Sequence, residues 1–116
     1  ITYGSQVYPT LKAAATLEAE GVSVEVIDLR SIVPWDKEAV CNSVNKTGRV
    51  IVTHEAPVTC GFGAEVCASI SKECFLRLEA PPSRVCGLDT PFPLHEKLYL
   101  PNEHKLVEEA KNLIKF

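Results

Sequence analysis

Methionine is absent from all 116 residues, position 1 included, and tryptophan occurs once, at Trp35. A chain that opens on Ile1-Thr2-Tyr3, which reads as the end of a β-strand, is expected to be a fragment of a longer protein. No apolar run approaches the roughly 18 residues that a membrane-spanning helix requires. The first residues also lack the charged stretch followed by an apolar one that marks a signal peptide. Positive charge is in deficit, with twelve lysines and arginines against fifteen aspartates and glutamates and a net charge of −3. That balance argues against a nucleic-acid partner. None of the five cysteines (Cys41, Cys60, Cys67, Cys74, Cys86) stands in C-x-x-C spacing to another, so zinc and thioredoxin-type readings lose their main support. The chain is also longer and richer in apolar residues than small disulfide-stapled domains. Its thiols are therefore expected to be reduced and buried, with Cys67 and Cys74 on one helix face beside Val66 and Ile70.

What is present is an alternation of strand and helix patterns, repeated four times without a linker, which fits one domain over residues 1–116. Strand-like Ile1–Gly4 leads to a helix with Ser5 as its N-cap, Val7, Leu11, Ala14 and Ala15 on its buried face, and Gly21 as its stop. Val22–Leu29 alternates as a strand and is broken at Pro34. Asp36 is placed to cap a second helix that carries Ala39, Val40, Ser43 and Val44 and closes at Gly48. Arg49–Thr53 reads as a short buried strand of the parallel type. A loop from His54 to Gly61 precedes a third helix over Gly63–Leu76, and Arg84–Cys86 is the last strand. A proline-punctuated loop from Asp89 to Pro101 hands over to a helix capped by Asn102, with Leu106, Val107, Ala110, Leu113 and Ile114 inward. Strands separated by helices of this length imply right-handed crossovers, hence an α/β fold with a mainly parallel, three-layer, doubly wound sheet.

Ligands of such sheets bind beyond the carboxyl ends of the strands. His54-Glu55 stands there, an imidazole and a carboxylate of the kind acid–base chemistry uses. Adjacent residues of an extended chain point to opposite faces, so a hydrogen-bonded role at an interface is expected of the pair rather than catalysis. Gly61-Phe62-Gly63 precedes a helix, but the third glycine of a dinucleotide fingerprint would fall on Val66, and no G-x-x-x-x-G-K-[ST] run occurs. A tight turn with close backbone packing is the expectation for these glycines. His95 and His104 have no metal-like spacing to a second ligand, and Trp35 is expected to roof the core. No G-x-S-x-G nucleophile elbow is present.

The string V-I-D-L-R-S-I-V-P-W-D (26–36), followed by K-T-G-R-V-I-V-T-H-E-A-P (46–57) and G-F-G-A-E (61–65), resembles the C-terminal domain of transketolase-like beta subunits. These belong to the decarboxylating component of 2-oxo acid dehydrogenase complexes. Within that group, L-E-A-P-P-S-R-V-C-G-L-D-T-P-F-P (78–93) and Y-L-P-N (99–102) look most like the branched-chain enzyme. The pyruvate dehydrogenase beta subunit and other transketolase-like enzymes are the alternatives. A free-standing flavodoxin-like enzyme, binding phosphate or nucleotide through Gly61–Gly63 and His54, is a reading from another class.

The resemblance implies strand order 2-1-3-4 in order of occurrence, and a non-catalytic assembly domain of a beta subunit. In the whole enzyme it implies thiamine diphosphate and magnesium, neither bound by this domain alone, and a reaction of oxidative decarboxylation and acyl transfer to a lipoyl group. The implied partners are the alpha subunit, a second beta subunit in a heterotetramer, and the subunit-binding domain of the dihydrolipoyl acyltransferase. The implied location is the mitochondrial matrix in a eukaryote and the cytoplasm otherwise. His54, Glu55, Gly61, Phe62 and Gly63 become candidates for subunit contacts. A basic acyltransferase domain would favour anions, so Glu79 and the carboxylate of Phe116, at the negative pole of the last helix, become candidates for docking. Lys111 and Lys115 nearby would weaken that field.

Overall fold

The computed structural model describes residues 1–95 and 99–116. Its elements are α1 (Val7–Ala19), α2 (Lys37–Thr47), β1 (Ile51–Pro57), α3 (Phe62–Glu73), β2 (Ser83–Gly87) and α4 (Glu103–Lys115). The loop expected over 89–101 falls partly outside the described residues, at 96–98.

Local capping chemistry sets several boundaries. Asp36 Oδ1 accepts the amide of Ala39 at 2.9 Å, and Asn102 Oδ1 accepts that of Lys105 at 3.0 Å, each satisfying a donor that a helix start leaves without a partner. Gly48 ends α2 in the left-handed region, at φ 71°. Ser5, by contrast, caps nothing. Gly4–Gln6 forms a short 3-10 turn ahead of α1, and the Ser5 hydroxyl donates to Glu55 instead.

The buried face of α1 is also not the expected one. Ala13 and Leu17 are buried, while Leu11 is 51% exposed and Ala15 faces solvent. This helix is apolar on more than one side, so its rotation is decided by contact with α4, a neighbour that periodicity does not register. The third helix stops at Glu73, short of Leu76, and the chain continues as a 3-10 turn over Phe75–Arg77.

β1 and β2 pair in parallel, from Ile51 opposite Ser83 to His54 opposite Cys86. Ile1–Tyr3 lies on the other side of β1. The Ile1 amino group donates to the Ile51 carbonyl at 2.8 Å, and the Thr53 amide to the Ile1 carbonyl at 2.9 Å. Thr2 in turn bridges to Asp28, donating to the Ile27 carbonyl and accepting from the Leu29 amide, each at 2.9 Å. The four segments thus run in the order 2-1-3-4. The strand expected over Val22–Leu29 shrinks to that single bridge. Among the described residues, Ser23–Val26 make no backbone hydrogen bond.

Alternation along these segments sorts side chains to two faces. Val52, with Val50 and Leu29, packs against Val40 and Val44 of α2 and Val66 and Ile70 of α3. Ile51 and Thr53 turn to the opposite side, toward Ala13 and Leu17 of α1 and Leu106 and Leu113 of α4. Cys74, just past the end of α3, is buried and its thiol is pushed up to about 11, chiefly by desolvation. Cys67 is half-buried, and Cys60 is exposed, against the expectation of buried thiols throughout. It sits at φ 60° in a surface turn.

Candidate functional site

His54 ends the buried stretch of β1 and has no exposed surface. Its Nδ1 lies 3.1 Å from the Ala56 carbonyl, which can only accept, and its Nε2 lies 2.9 Å from the Gly63 amide, which can only donate. The partners therefore assign the neutral tautomer with the proton on Nδ1. Desolvation lowers the imidazole pKa from its usual value, the Ala56 carbonyl opposes that, and the Arg84 charge lowers it further. Tyr3 stacks on the ring with centroids 5.8 Å apart, and Cys86 Sγ lies 3.4 Å from Nε2. Burial raises the Cys86 thiol, so the pair is a neutral thiol beside a neutral imidazole.

Two glycines make room for this ring. A Cβ on Gly61 would stand 2.3 Å from the Pro57 carbonyl oxygen and 2.5 Å from His54 Cε1; one on Gly63 would stand 2.7 Å from His54 Nε2. Gly61 has an ordinary φ of −72°, so close approach, not backbone conformation, requires the glycine. The same geometry tests the helix start as an anion site. The Gly63 amide is committed to His54, and the Ala64 amide to the Gly61 carbonyl at 3.0 Å. Those donors are spent, and a phosphate would have to displace the imidazole to reach them.

The turn between β1 and α3 is held from outside as well. Asp89 accepts the Thr59 amide at 3.0 Å and its hydroxyl at 2.6 Å, bonds that lower the Asp89 pKa. Arg84 donates to the Val58 carbonyl at 2.6 Å. Phe62 is half-buried and meets both Tyr3 and Trp35 edge-on, at 6.1 and 6.3 Å. Glu55 points the other way from His54, exposed and bound to Ser5. The imidazole thus holds the turn from beneath and has no exposed surface, while the Glu55 carboxylate lies at the surface. In the sequence Arg84 and Asp89 mark only the start of a strand and of a loop; their bonding roles are not legible there because their partners lie across the fold.

At the opposite end of the sheet, Arg49 joins Glu79 to the last turn of α4. Its Nε donates to the Leu113 carbonyl in the last turn of α4 at 3.0 Å, and its Nη1 pairs with Glu79. Gly48 lies so close that a Cβ there would stand 3.0 Å from Glu79. Phe116, at the end of α4, is 77% exposed. Glu79 therefore sits beside the last helix, but with a guanidinium interposed that offsets its charge. Lys111, expected to weaken the anionic field, is drawn to Glu20 of the α1 terminus at 2.7 Å. Arg49 was the residue missed here.

A parallel sheet ordered 2-1-3-4, helices on both faces and strand ends sealed by the chain's own residues define a doubly wound α/β domain. More narrowly, the chain belongs to the transketolase C-terminal domain family, whose profile matches residues 1–106. It is 51% identical over 117 residues to 2-oxoisovalerate dehydrogenase subunit beta 2, mitochondrial, of Arabidopsis thaliana, covering 100% of this chain and 33% of that protein. To the mitochondrial 2-oxoisovalerate dehydrogenase subunit beta of Dictyostelium discoideum it is 53% identical over 113 residues, covering 96% and 30%. To the pyruvate dehydrogenase E1 component subunit beta of Staphylococcus aureus it is 47% identical over 118 residues, covering 100% and 36%. Among solved structures, one described as a split gene transketolase, inactive beta4 tetramer, superposes with a TM-score of 0.84 at 27% identity, covering 98% of this chain and 37% of that one. The chain thus spans about a third of the length of the relatives it matches.

Proposed function

We propose that this chain is the C-terminal, non-catalytic assembly domain of the beta subunit of a thiamine-diphosphate-dependent branched-chain 2-oxo acid dehydrogenase. The observation that carries the reading is identity of 51% and 53%, across nearly the whole chain, with two 2-oxoisovalerate dehydrogenase beta subunits. In this reading the whole enzyme decarboxylates a branched 2-oxo acid oxidatively and passes the acyl group to a lipoyl carrier. Thiamine diphosphate and magnesium are held by other parts of the enzyme. The spent amides at the start of α3 support that, since they do not fit a diphosphate. The half-buried turn around Gly61 and Phe62, with exposed Glu55 beside it, serves subunit contacts with the alpha subunit or a second beta subunit. The end of α4, with Phe116 and Glu79, docks the basic subunit-binding domain of the acyltransferase. The matrix is its location in a eukaryote, and the cytoplasm in a bacterium.

The test is made on the assembled enzyme. Glu79→Lys should weaken binding of the isolated subunit-binding domain about tenfold at low salt. That is the lower end of the range for interfacial charge pairs, because Arg49 already offsets part of the charge. Decarboxylation with an artificial electron acceptor should be unchanged, and the loss should shrink as salt rises. Equal affinities at low salt would remove Glu79 from the docking surface. The second reading, a pyruvate dehydrogenase beta subunit, is favoured by the 47% identity to the Staphylococcus aureus protein. Relative turnover of pyruvate and of a branched 2-oxo acid decides between them.

A further inference from the structure

The two helices on one face of the sheet each carry a thiol where they meet. On α2, Val40 and Val44 enter the buried cluster one turn apart. Cys41 stands roughly 100° round the helix from Val40, half-buried and packed against the same cluster. Cys74 ends α3 and belongs to that cluster, with 1% of its surface exposed. The two side chains are hydrogen-bonded to each other, thiol to thiol. The remaining cysteines are placed otherwise: Cys60 is exposed in its surface turn, and Cys86 Sγ faces His54.

The two sulfurs are not equivalent. Burial first, then the hydrogen bond to Cys41, pushes the Cys74 thiol up to about 11, with the charges of Cys41 and Glu73 acting in the same direction. Hydrogen bonding raises the pKa of the group that donates, so the Cys74 S–H donates and the Cys41 sulfur accepts. The thiolate is the form that reacts, and Cys41 is the thiol with open surface. An oxidant therefore meets Cys41 first, while Cys74 waits beside it with its proton held.

We propose that Cys41 and Cys74 form an oxidisable dithiol, closed by hydrogen peroxide into a disulfide that staples α2 to the end of α3. In the first step the peroxide O–O bond breaks, the Cys41 sulfur takes one oxygen as a sulfenic acid, and one water leaves. In the second the Cys74 sulfur displaces that hydroxyl, the S–S bond forms, and the Cys74 proton departs with the hydroxyl as a second water. The two thiols together lose two electrons, and one peroxide gains them. Closure draws the sulfurs nearer than hydrogen-bond contact, and the fold gives way at the right place. Cys74 leads into a 3-10 turn whose Phe75 and Leu76 are 71% and 92% exposed, so the chain beyond it is held by few packed contacts. A neighbouring thiol also protects Cys41, since a sulfenic acid without one goes on to the irreversible sulfinic acid.

The experiment treats the assembled enzyme with hydrogen peroxide, alkylates the remaining thiols and digests with trypsin in the absence of reductant. Cleavage after Lys37, Lys46, Lys72 and Arg77 puts Cys41 in Glu38–Lys46 and Cys74 in Glu73–Arg77, while Cys60, Cys67 and Cys86 fall in other peptides. The two peptides should be joined in most subunits and separate again on reduction. With Cys74→Ser, dimedone should trap Cys41 as its sulfenic acid. With Cys41→Ser, a half-exposed site that tolerates the change, Cys74 should react at least about tenfold more slowly than wild-type Cys41, because a buried protonated thiol is inert. Peptides that stay unjoined after exposed Cys60 has been oxidised overturn the proposal. So does Cys41 linked to any cysteine other than Cys74, or Cys41 passing to sulfinic acid as fast in wild type as in Cys74→Ser.

Discussion

On the face of the sheet covered by α2 and α3, Val40, Val44, Val52, Val66 and Ile70 are all at most 1% exposed and pack as one cluster. The face covered by α1 and α4 belongs to the same strands but is filled differently. There the hydroxyls of Thr2 and Thr53 and the side-chain amide oxygen (Oε1) of Gln6 are buried without a partner among the described residues, and a cavity opens beside Leu17 and Leu113. A close-packed face loses contacts on every side when an atom is removed, whereas a side chain bordering a void has already forfeited part of them. Burial percentages alone hide this, since Leu17 is 3% exposed and Ile70 is 0%. Equal burial therefore does not mean equal contribution to stability.

The largest test of that contrast is a pair of truncations. Ile70→Ala should destabilise the fold by about 3–4 kcal/mol, in the upper part of the range for aliphatic core truncations. Leu17→Ala, beside the cavity, should cost about half as much. Urea midpoints of the two variants check it, and equal losses would mean that the α1–α4 face is as tightly packed as the other.

Next comes pH. Burial lowers the His54 imidazole below its ordinary 6.5. Just below that value the unfolded chain binds a proton that the folded chain does not, so stability is lost as pH falls from there. Thermal unfolding between pH 5 and 8 checks it, and a flat profile below 6.5 would mean that the imidazole titrates alike in the folded and unfolded chain.

The smallest effect has the opposite sign. Thr53→Val replaces a buried hydroxyl that has no partner by a methyl group of similar shape, and should stabilise by about 1 kcal/mol. A loss on calorimetry would mean that a bound water satisfies the hydroxyl.

How much of this was legible in the sequence follows the range of the interactions. Asp36, Gly48 and Asn102 were readable as helix boundaries because each acts on a backbone group a few residues away. The α2–α3 face was readable at Val40, Val44, Val66 and Ile70, where apolar spacing and burial coincide. The orientation of α1 was not, because an alanine-rich helix offers several apolar faces and only α4 selects among them. Ser5 had the composition of a cap but found a better partner in Glu55, fifty residues on. The sequence identified Gly61 and Gly63 as packing glycines without showing what they pack against. That role falls to His54, seen there only as half of a possible acid–base pair. Arg49, Arg84 and Asp89 act wholly through tertiary partners, and no local pattern marks them.

The segment Ile1–Tyr3 is flanked on both sides by segments that follow it in the chain, its partner Ile51 lying 50 residues later. Such a pairing is non-local, and its loop-closure cost must be met before the contact rewards it. Order at Ile1–Tyr3 therefore reports on the whole sheet rather than on any local element.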